Sequence, residues 1–384
     1  MWNPTLIAKL AFWTCSALLF YVYVLYPLMV RVLGARFGVP VRRGAVLPSV
    51  TIIVTAYNEE KCIRAKLDNI RQLDYPPELL STIVVSDASS DATEQIASHY
   101  DPARVSVLRV EGRRGKTACQ NAAAAMARGE VLVFADATTR LHPQALRRLV
   151  ENFADTTVGC VSGRVVYVTA NANVTGQGCE TYWSYEQRLR AAESAFGSMI
   201  GVAGCLYAVR RLAYLPIEPW LCSDFVIAWM MRYQSLRTVF AADAVCYEET
   251  LDRGSFELSM RVRVAVQSLH VLIHERRFLN PWRYGRFAWQ LWSHKVLRYW
   301  SPVLWLAAIL ANISLEGQPF YLAILLAQGA VIVAGTAGFL LQERRSHLRV
   351  FGQPYYLLLT NIASLIAMLR YLKGDRMVTW SPIR

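Results

Sequence analysis

The sequence predicts an α/β domain with a largely parallel sheet, set between apolar segments able to span a bilayer. Three observations predict it. From about residue 45 to 255, short β-branched runs alternate with helical patterns, as in successive βαβ units. Several of those runs end in polar loops. The flanking segments are almost uncharged: residues 5–33 carry only Lys9 and Arg31, 302–341 only Glu316, and 350–369 nothing.

The first element is Leu6–Val30. A bilayer core needs roughly 20 apolar residues of helix. This segment meets that, and it is too long and too aromatic for a signal peptide. It reads as a retained anchor. Val50–Val54 then forms a strand that ends in Thr55-Ala56-Tyr57-Asn58-Glu59-Glu60, followed by a helix to about Arg71. Ser81–Val85 is a second strand, ending in Ser86-Asp87-Ala88-Ser89-Ser90-Asp91, with a helix to about His99. Val105–Val110 is a third, followed by the loop Gly112–Lys116 and an Ala-rich helix from Thr117 to Arg128. Val131–Ala135 is a buried run that delivers Asp136 to its C-terminal end. Further on, Phe225–Tyr233 is helical. Pro302–Ile313 and Phe320–Leu341 make a hairpin broken at Glu316-Gly317-Gln318-Pro319, and Pro354–Leu369 is a last, short candidate span.

In open α/β sheets ligands bind beyond the carboxyl ends of the strands. There, Thr55, Asn58 and Glu59, then Asp87 and Asp91, then Asp136 share one rim with the Gly-flanked Lys116, which suits a phosphate. Asp136 reads either as a ligand for a divalent cation on a phosphorylated molecule or as a cap of the next turn. No G-x-G-x-x-G follows the first strand, no G-x-x-x-x-G-K-S/T is present, and no G-x-S-x-G occurs. Rossmann dinucleotide sites, P-loops and α/β-hydrolase elbows are thereby set aside.

The net charge of +13 does not imply nucleic acid, because of where it lies. Arg31, Arg36, Arg42 and Arg43 follow the first span. Arg276, Arg277, Arg283, Arg286, Lys295 and Arg298 precede the second, and Arg344, Arg345 and Arg349 follow the hairpin. Cations flank spans on the cytoplasmic side. The N-terminus is expected outside and the α/β domain inside. If the last segment also spans, the tail with Lys373, Arg376 and Arg384 lies outside, against that rule. Trp282, Trp289, Trp292 and Trp300, interleaved with the basic residues, read as interfacial helices. His270 and His274 lie four apart on one helix, with no third metal ligand evident. The eight cysteines are scattered without a C-x-x-C and read as reduced core residues.

The order of these motifs resembles the membrane-bound family 2 glycosyltransferases, whose catalytic domain has the GT-A fold. The residues that carry it are Thr55–Glu59, Val84–Asp91, Gly115-Lys116 with Asn121, and Phe134-Ala135-Asp136. It continues through Gly204–Arg211, Ser223-Asp224-Phe225, Ala244–Glu248, Arg261-Val262-Arg263 and the Trp380-Ser381-Pro382 tail. The resemblance implies four parts: an anchor and basic linker over 1–44, a cytoplasmic GT-A domain over 45–255, amphipathic interfacial helices over 256–300, and a C-terminal membrane region over 301–384.

It also implies inverting transfer of a sugar from a nucleotide sugar, a UDP-sugar by family habit, at the plasma membrane. By position, Thr55, Tyr57, Asn58, Glu59 and Asp87 would hold the nucleoside, Lys116 the donor phosphates or sugar, and Asp136 with Thr138 a Mg²⁺ or Mn²⁺ ion. Arg261 and Arg263 would clamp the diphosphate, Gly204 and Cys205 would meet the acceptor, and Asp224 would be the base. The residue chemistry fits these roles, and Asp224 also reads as the N-cap of its helix.

Two positions depart from the family. Thr138 stands where a second carboxylate would complete D-x-D. Leu258-Ser259-Met260-Arg261-Val262 keeps only the arginine of Q-x-x-R-W. The favoured reading is therefore addition of one or few sugars to a lipid-linked or envelope glycan acceptor, with membrane lipid as a partner and no nucleic acid. A processive exopolysaccharide synthase and a catalytically silent nucleotide- or glycan-binding scaffold are the alternatives. The oligomeric state is not encoded.

Overall fold

A computed structural model of the chain describes residues 3–168, 174–250, 254–342 and 350–380. The Arg344, Arg345 and Arg349 cluster and Ser381, Pro382 and Arg384 lie outside them. The chain divides into two units.

The sheet unit takes Leu33–Val168, Arg190–Glu249 and the tail from Arg376. Its strands are β1 (Val50–Ala56), β2 (Leu80–Ser86), β3 (Val105–Arg109), β4 (Val131–Asp136), β5 (Arg140–Leu141), β6 (Val158–Val168), β7 (Leu206–Arg210) and β8 (Arg237–Glu249). They form one eight-stranded sheet in the order β3-β2-β1-β4-β7-β6-β8-β5. β1 is buried at every position, because it is covered on both faces as inner parallel strands are. The β3-β2-β1-β4 half is wholly parallel, as the alternation of strands and helices predicts.

The other half is mixed. β7 runs antiparallel to both β4 and β6, β8 runs parallel to β6, and β5 pairs antiparallel with β8. The expectation of a largely parallel sheet holds without exception only in the first half, because β7 inserts in the opposite sense between β4 and β6, which themselves run the same way. Instead the chain turns at Asp136–Thr139 and pairs Leu141 with Cys246. The parallel register sets Thr55 beside Asp136 and Ala56 beside Ser86. The loops after β1, β2 and β4 therefore open on one rim.

The helical unit takes the N-terminal segment to Val32, Thr169–Leu189 and Thr250–Asp375. Among the described residues four helices are long and apolar enough to cross a membrane: Pro4–Phe37, Arg286–Ile313, Pro319–Leu340 and Gly352–Leu372. The first continues through a π-helical turn at Tyr21–Leu25. The turn between Ile313 and Pro319 makes the expected hairpin. Phe12, Ala311, Leu315 and Tyr321 pack together there, and the Trp13 indole donates to the Tyr321 hydroxyl at 3.1 Å. Asn312 is fully buried and donates to Gln328 Oε1 at 3.1 Å, so its amide joins two apolar helices. Glu186 lies among the same unit's helices, where it accepts from Arg298 at 2.8 Å and meets His294 at 3.0 Å.

Candidate active site

The first two rim loops interlock. Asn58 and Ala88 both adopt left-handed backbone, with φ of 51° and 56°. Asn58 Oδ1 accepts the Ser90 N–H at 2.8 Å, and the Asn58 N–H donates to Ser89 Oγ at 3.1 Å. The Glu59 N–H donates to Thr93 Oγ1 at 2.7 Å. Thr55 and Glu59 are buried, and Tyr57 is half-buried. Of the first loop's predicted residues, Asn58 and Glu59 tie it to the second loop through these bonds.

Asp87 is fully buried and ties the second loop to the third. Its Oδ1 accepts the Arg114 N–H at 2.7 Å, and its Oδ2 accepts the Gly115 N–H at 3.1 Å. The Arg113 guanidinium lies 3.5 Å from Oδ2. Burial and the Asp87 charge push the Cys119 thiol well above its ordinary value, so it is a neutral filler beneath that loop. The C-terminal tail also reaches this corner. Arg113 Nη2 donates to the Trp380 carbonyl at 2.5 Å, and the Trp380 and Tyr57 rings meet edge-on at 6.4 Å. A Cβ on Gly115 would come within 2.6 Å of the Val378 carbonyl oxygen, so only glycine lets the tail lie there, and its φ of 88° suits glycine as well. Arg376 sits 4.8 Å over the Trp220 ring.

Lys116, Asp136, Gly204 and Asp224 are linked by successive contacts. Lys116 opens the helix Lys116–Met126, and its Nζ donates to Asp136 Oδ1 at 2.5 Å and to the Gly204 carbonyl at 3.1 Å. Burial pulls its ammonium down, but the Asp136 carboxylate more than offsets this and holds it above the ordinary lysine value, with Asp224 adding to the effect. Gly204 abuts Asp224: a Cβ there would lie 2.7 Å from Asp224 Oδ2. The Asp224 carbonyl accepts the Val202 N–H at 2.9 Å, and its Oδ1 accepts the Cys222 thiol at 2.6 Å.

Asp224 is not the cap of its helix. The helix Ser223–Tyr233 has Cys222 at the N-cap, and Asp224 lies in the first turn, because the helix starts two residues earlier than the apolar run suggests. Its charge there still suits the helix N-terminus. The same helix that presents Lys116 holds the approach to Asp224. Thr117 Oγ1 donates to the Leu221 carbonyl at 2.7 Å, and Asn121 brackets Ile217 by donating to its carbonyl at 2.6 Å and accepting its N–H at 3.0 Å.

Thr138 is exposed at the turn after β4, one residue from buried Thr139. Among the described residues no three His, Cys, Asp or Glu side chains converge as a metal cage. The donors present are hard oxygens, one carboxylate and one hydroxyl. That set fits a magnesium-like ion that keeps waters and takes its remaining ligands from a diphosphate.

Arg261 and Arg263 lie in the helical unit, on the helix Gly254–His274. Arg261 is paired with Glu257 at 2.9 Å, donates to the Tyr356 hydroxyl and stacks 4.6 Å over Tyr182. His270 meets the Asp375 carbonyl at 2.8 Å. Cys205 and Cys246 face each other at 4.0 Å in the sheet unit, and Cys205 belongs to its buried core.

Sequence reasoning missed two features. One is the tail against Tyr57 and Arg113, for which no local pattern gives a signal. The other is Lys66, which is 2% exposed. It occupies an apolar-stripe position, since Ile63, Lys66, Leu67 and Ile70 share the buried face of their helix. A lysine there was the available clue.

Residues 51–214 match the family model described as "Glycosyl transferase family 2". The matched stretch holds Tyr57, Asp87, Lys116, Asp136 and Gly204. It is a family 2 glycosyltransferase domain. Glycosyltransferase AglE of Haloferax volcanii is 26% identical over 144 residues, 37% of this chain and 47% of that one. The beta-monoglucosyldiacylglycerol synthase of Trichormus variabilis is 28% identical over 178 residues, 45% of this chain and 38% of that one. The chain thus spans less than half the length of these two curated relatives.

A solved mannosyltransferase, PcManGT from Pyrobaculum calidifontis in complex with GDP-Man and Mn²⁺, superposes with a TM-score of 0.73 at 22% identity. That likeness covers 97% of this chain and 100% of that one. The family 2 domain therefore has the GT-A fold, and the likeness extends over the apolar helices beyond it.

Proposed function

We propose that this chain is an inverting glycosyltransferase of the cytoplasmic face of the plasma membrane. It moves a sugar from a nucleotide sugar to a hydroxyl of a lipid-linked or envelope glycan acceptor. One observation carries the reading: Lys116 Nζ bridges Asp136 Oδ1 and the carbonyl of Gly204, whose Cα abuts the Asp224 carboxylate. An ammonium for the leaving diphosphate and a carboxylate for the incoming hydroxyl then both adjoin Gly204.

In this reading the acceptor oxygen bonds to the anomeric carbon as the bond to the diphosphate oxygen breaks. Asp224 takes the hydroxyl proton, a role worth typically ~10²–10⁴-fold. Lys116 meets the negative charge that develops on the diphosphate. Asp136 and Thr138 would hold a Mg²⁺ or Mn²⁺ ion, which supplies further charge stabilisation to the same oxygens. Tyr57 and Asp87 line the nucleoside corner. Gly204 would meet the acceptor, whereas Cys205, placed with it by the sequence, is buried against Cys246. The similarity to a beta-monoglucosyldiacylglycerol synthase supports a lipid acceptor. The missing tryptophan after Arg261 supports addition of one or few sugars rather than processive synthesis.

The test is nucleoside diphosphate release by detergent-purified protein, given UDP- and GDP-sugars, Mg²⁺ or Mn²⁺, and membrane lipid. Release that Asp224→Asn abolishes, with nucleotide binding retained, supports the enzyme. Nucleotide binding without release from any donor would make the chain a scaffold. Long products would make it a processive synthase.

A further inference from the structure

Resting on the donor site just proposed, we infer that Lys66 is a positioning residue of that site: from beneath, it fixes the turn that carries Asp136 and Thr138. Its Nζ donates to the Thr139 carbonyl at 2.8 Å and to Thr139 Oγ1 at 3.2 Å. Thr139 in turn closes the turn. Its N–H donates to the Asp136 carbonyl at 3.3 Å, and its hydroxyl lies 3.0 Å from the same oxygen and 3.5 Å from the Cys205 carbonyl. One ammonium thus grips the residue that joins the cation turn to the Gly204–Cys205 strand start.

The helix Ile63–Arg71 adds a second grip one turn on. Asn69 Nδ2 donates to the Leu141 carbonyl at 2.9 Å, and Asn69 Oδ1 accepts the Leu141 N–H at 2.7 Å. The segment 139–141 is therefore held along its length from one helix face. Asn69 does so with a neutral amide, which shows that anchoring a backbone here does not require charge.

Burying an ammonium is costly, and an apolar residue of similar volume is often neutral or better for stability. A lysine at an apolar-stripe position breaks the local pattern, and such breaks concentrate at functional sites. What Lys66 adds over a neutral donor is positive charge under a turn with only one carboxylate. The long stem also reaches through the core to the Thr139 carbonyl. Thr138 beside it stays exposed, and Asp136 stays on Lys116. Without that grip the turn still packs, but Asp136 and Thr138 lose their fixed direction.

The experiment is calorimetric titration of UDP and of GDP into full-length, detergent-purified protein, with and without Mn²⁺, for wild type, Lys66→Met and Lys66→Gln. Melting temperatures are recorded alongside. The expected result is Mn²⁺-dependent binding that Lys66→Met weakens by tenfold or more at an unchanged or higher melting temperature. Lys66→Gln keeps a donor and recovers part of that loss. Wild-type Mn²⁺-dependent binding that Lys66→Met leaves unchanged overturns the assignment. So does a parallel loss of affinity and melting temperature in both variants, which would make Lys66 a core residue only. A wild type that binds neither diphosphate overturns the donor site itself, and this assignment with it.

Discussion

The guanidinium carbon of Arg113 lies 3.1 Å from the centroid of the Tyr57 ring, on a residue whose own φ is 50°. The left-handed backbone at Arg113 turns its side chain back over the first loop. It reaches Tyr57, Asp87 and the Trp380 carbonyl at once. In the proposed donor site this covers the aromatic face on which a nucleobase would stack, so the base must displace the cation.

An exposed cation–π contact is worth about 0.5–1 kcal/mol. Arg113→Ala is expected to tighten nucleoside diphosphate binding by roughly two- to fivefold, the factor that this energy sets. Fluorescence titration with a labelled nucleotide checks it. Weaker binding would mean that Arg113 grips the donor.

Gly204→Ala tests the contact with Asp224. The new methyl would sit 2.7 Å from Oδ2 and force the carboxylate aside. A small misplacement of a catalytic group costs on the order of 10²-fold in rate. The turnover number is expected to fall accordingly while nucleotide affinity stays at the wild-type value. Equal losses in both would place Gly204 in the donor pocket.

Asn121→Ala removes the bracket on Ile217 and the bond from the Tyr214 hydroxyl at 2.9 Å. Leaving those groups without partners costs about 1–3 kcal/mol. Chemical denaturation should show that loss. Activity should fall as well, because the same segment leads to Cys222 and Asp224. Full activity with reduced stability would separate the bracket from the site.

Burial brings the Lys66 ammonium down to about 8 from 10.5, against the opposing carboxylate charges of Asp136 and Glu248. Between those values the unfolded chain holds a proton that the folded chain has released. Stability contributed by this group therefore rises with pH across that window, and below about 8 the cost of the buried charge is present in full. Lys66→Met should gain most over wild type near pH 7 and lose that advantage progressively as pH rises from about 8 towards 10.5. Melting curves of both proteins across pH 7–9.5 test this, and a pH-independent difference would refute it.

Much of the site was legible because strand ends are local events. Val131–Ala135 is an apolar run that stops at a carboxylate, β2 stops likewise before Asp87, and β1 runs into the polar Asn58-Glu59. Parallel pairing then brings Asp136, Asp87 and Lys116 to one rim without further information. The cap of the Asp224 helix was misjudged because Cys222 and Ser223 give no apolar signal. The β5–β8 pairing was invisible, since β5 is two residues long and its partner lies a hundred residues on. Lys66 was visible only as a misfit in the pattern Ile63, Lys66, Leu67, Ile70, and the misfit acquires meaning once Thr139 is seen above it.

The tail that ends at Trp380 fixes a parity. The sheet unit leaves at Glu249 and is rejoined at Arg376, so both points lie on the same side of any bilayer. Between them, among the described residues, stand three helices long enough to cross: Arg286–Ile313, Pro319–Leu340 and Gly352–Leu372. An odd number of crossings would strand Trp380 on the opposite side from Arg113, whose guanidinium holds its carbonyl. The number of crossings between Glu249 and Arg376 is therefore expected to be even, so at most two of these three helices would cross, and Lys373 and Arg376 would return to the side on which the sheet unit leaves at Glu249.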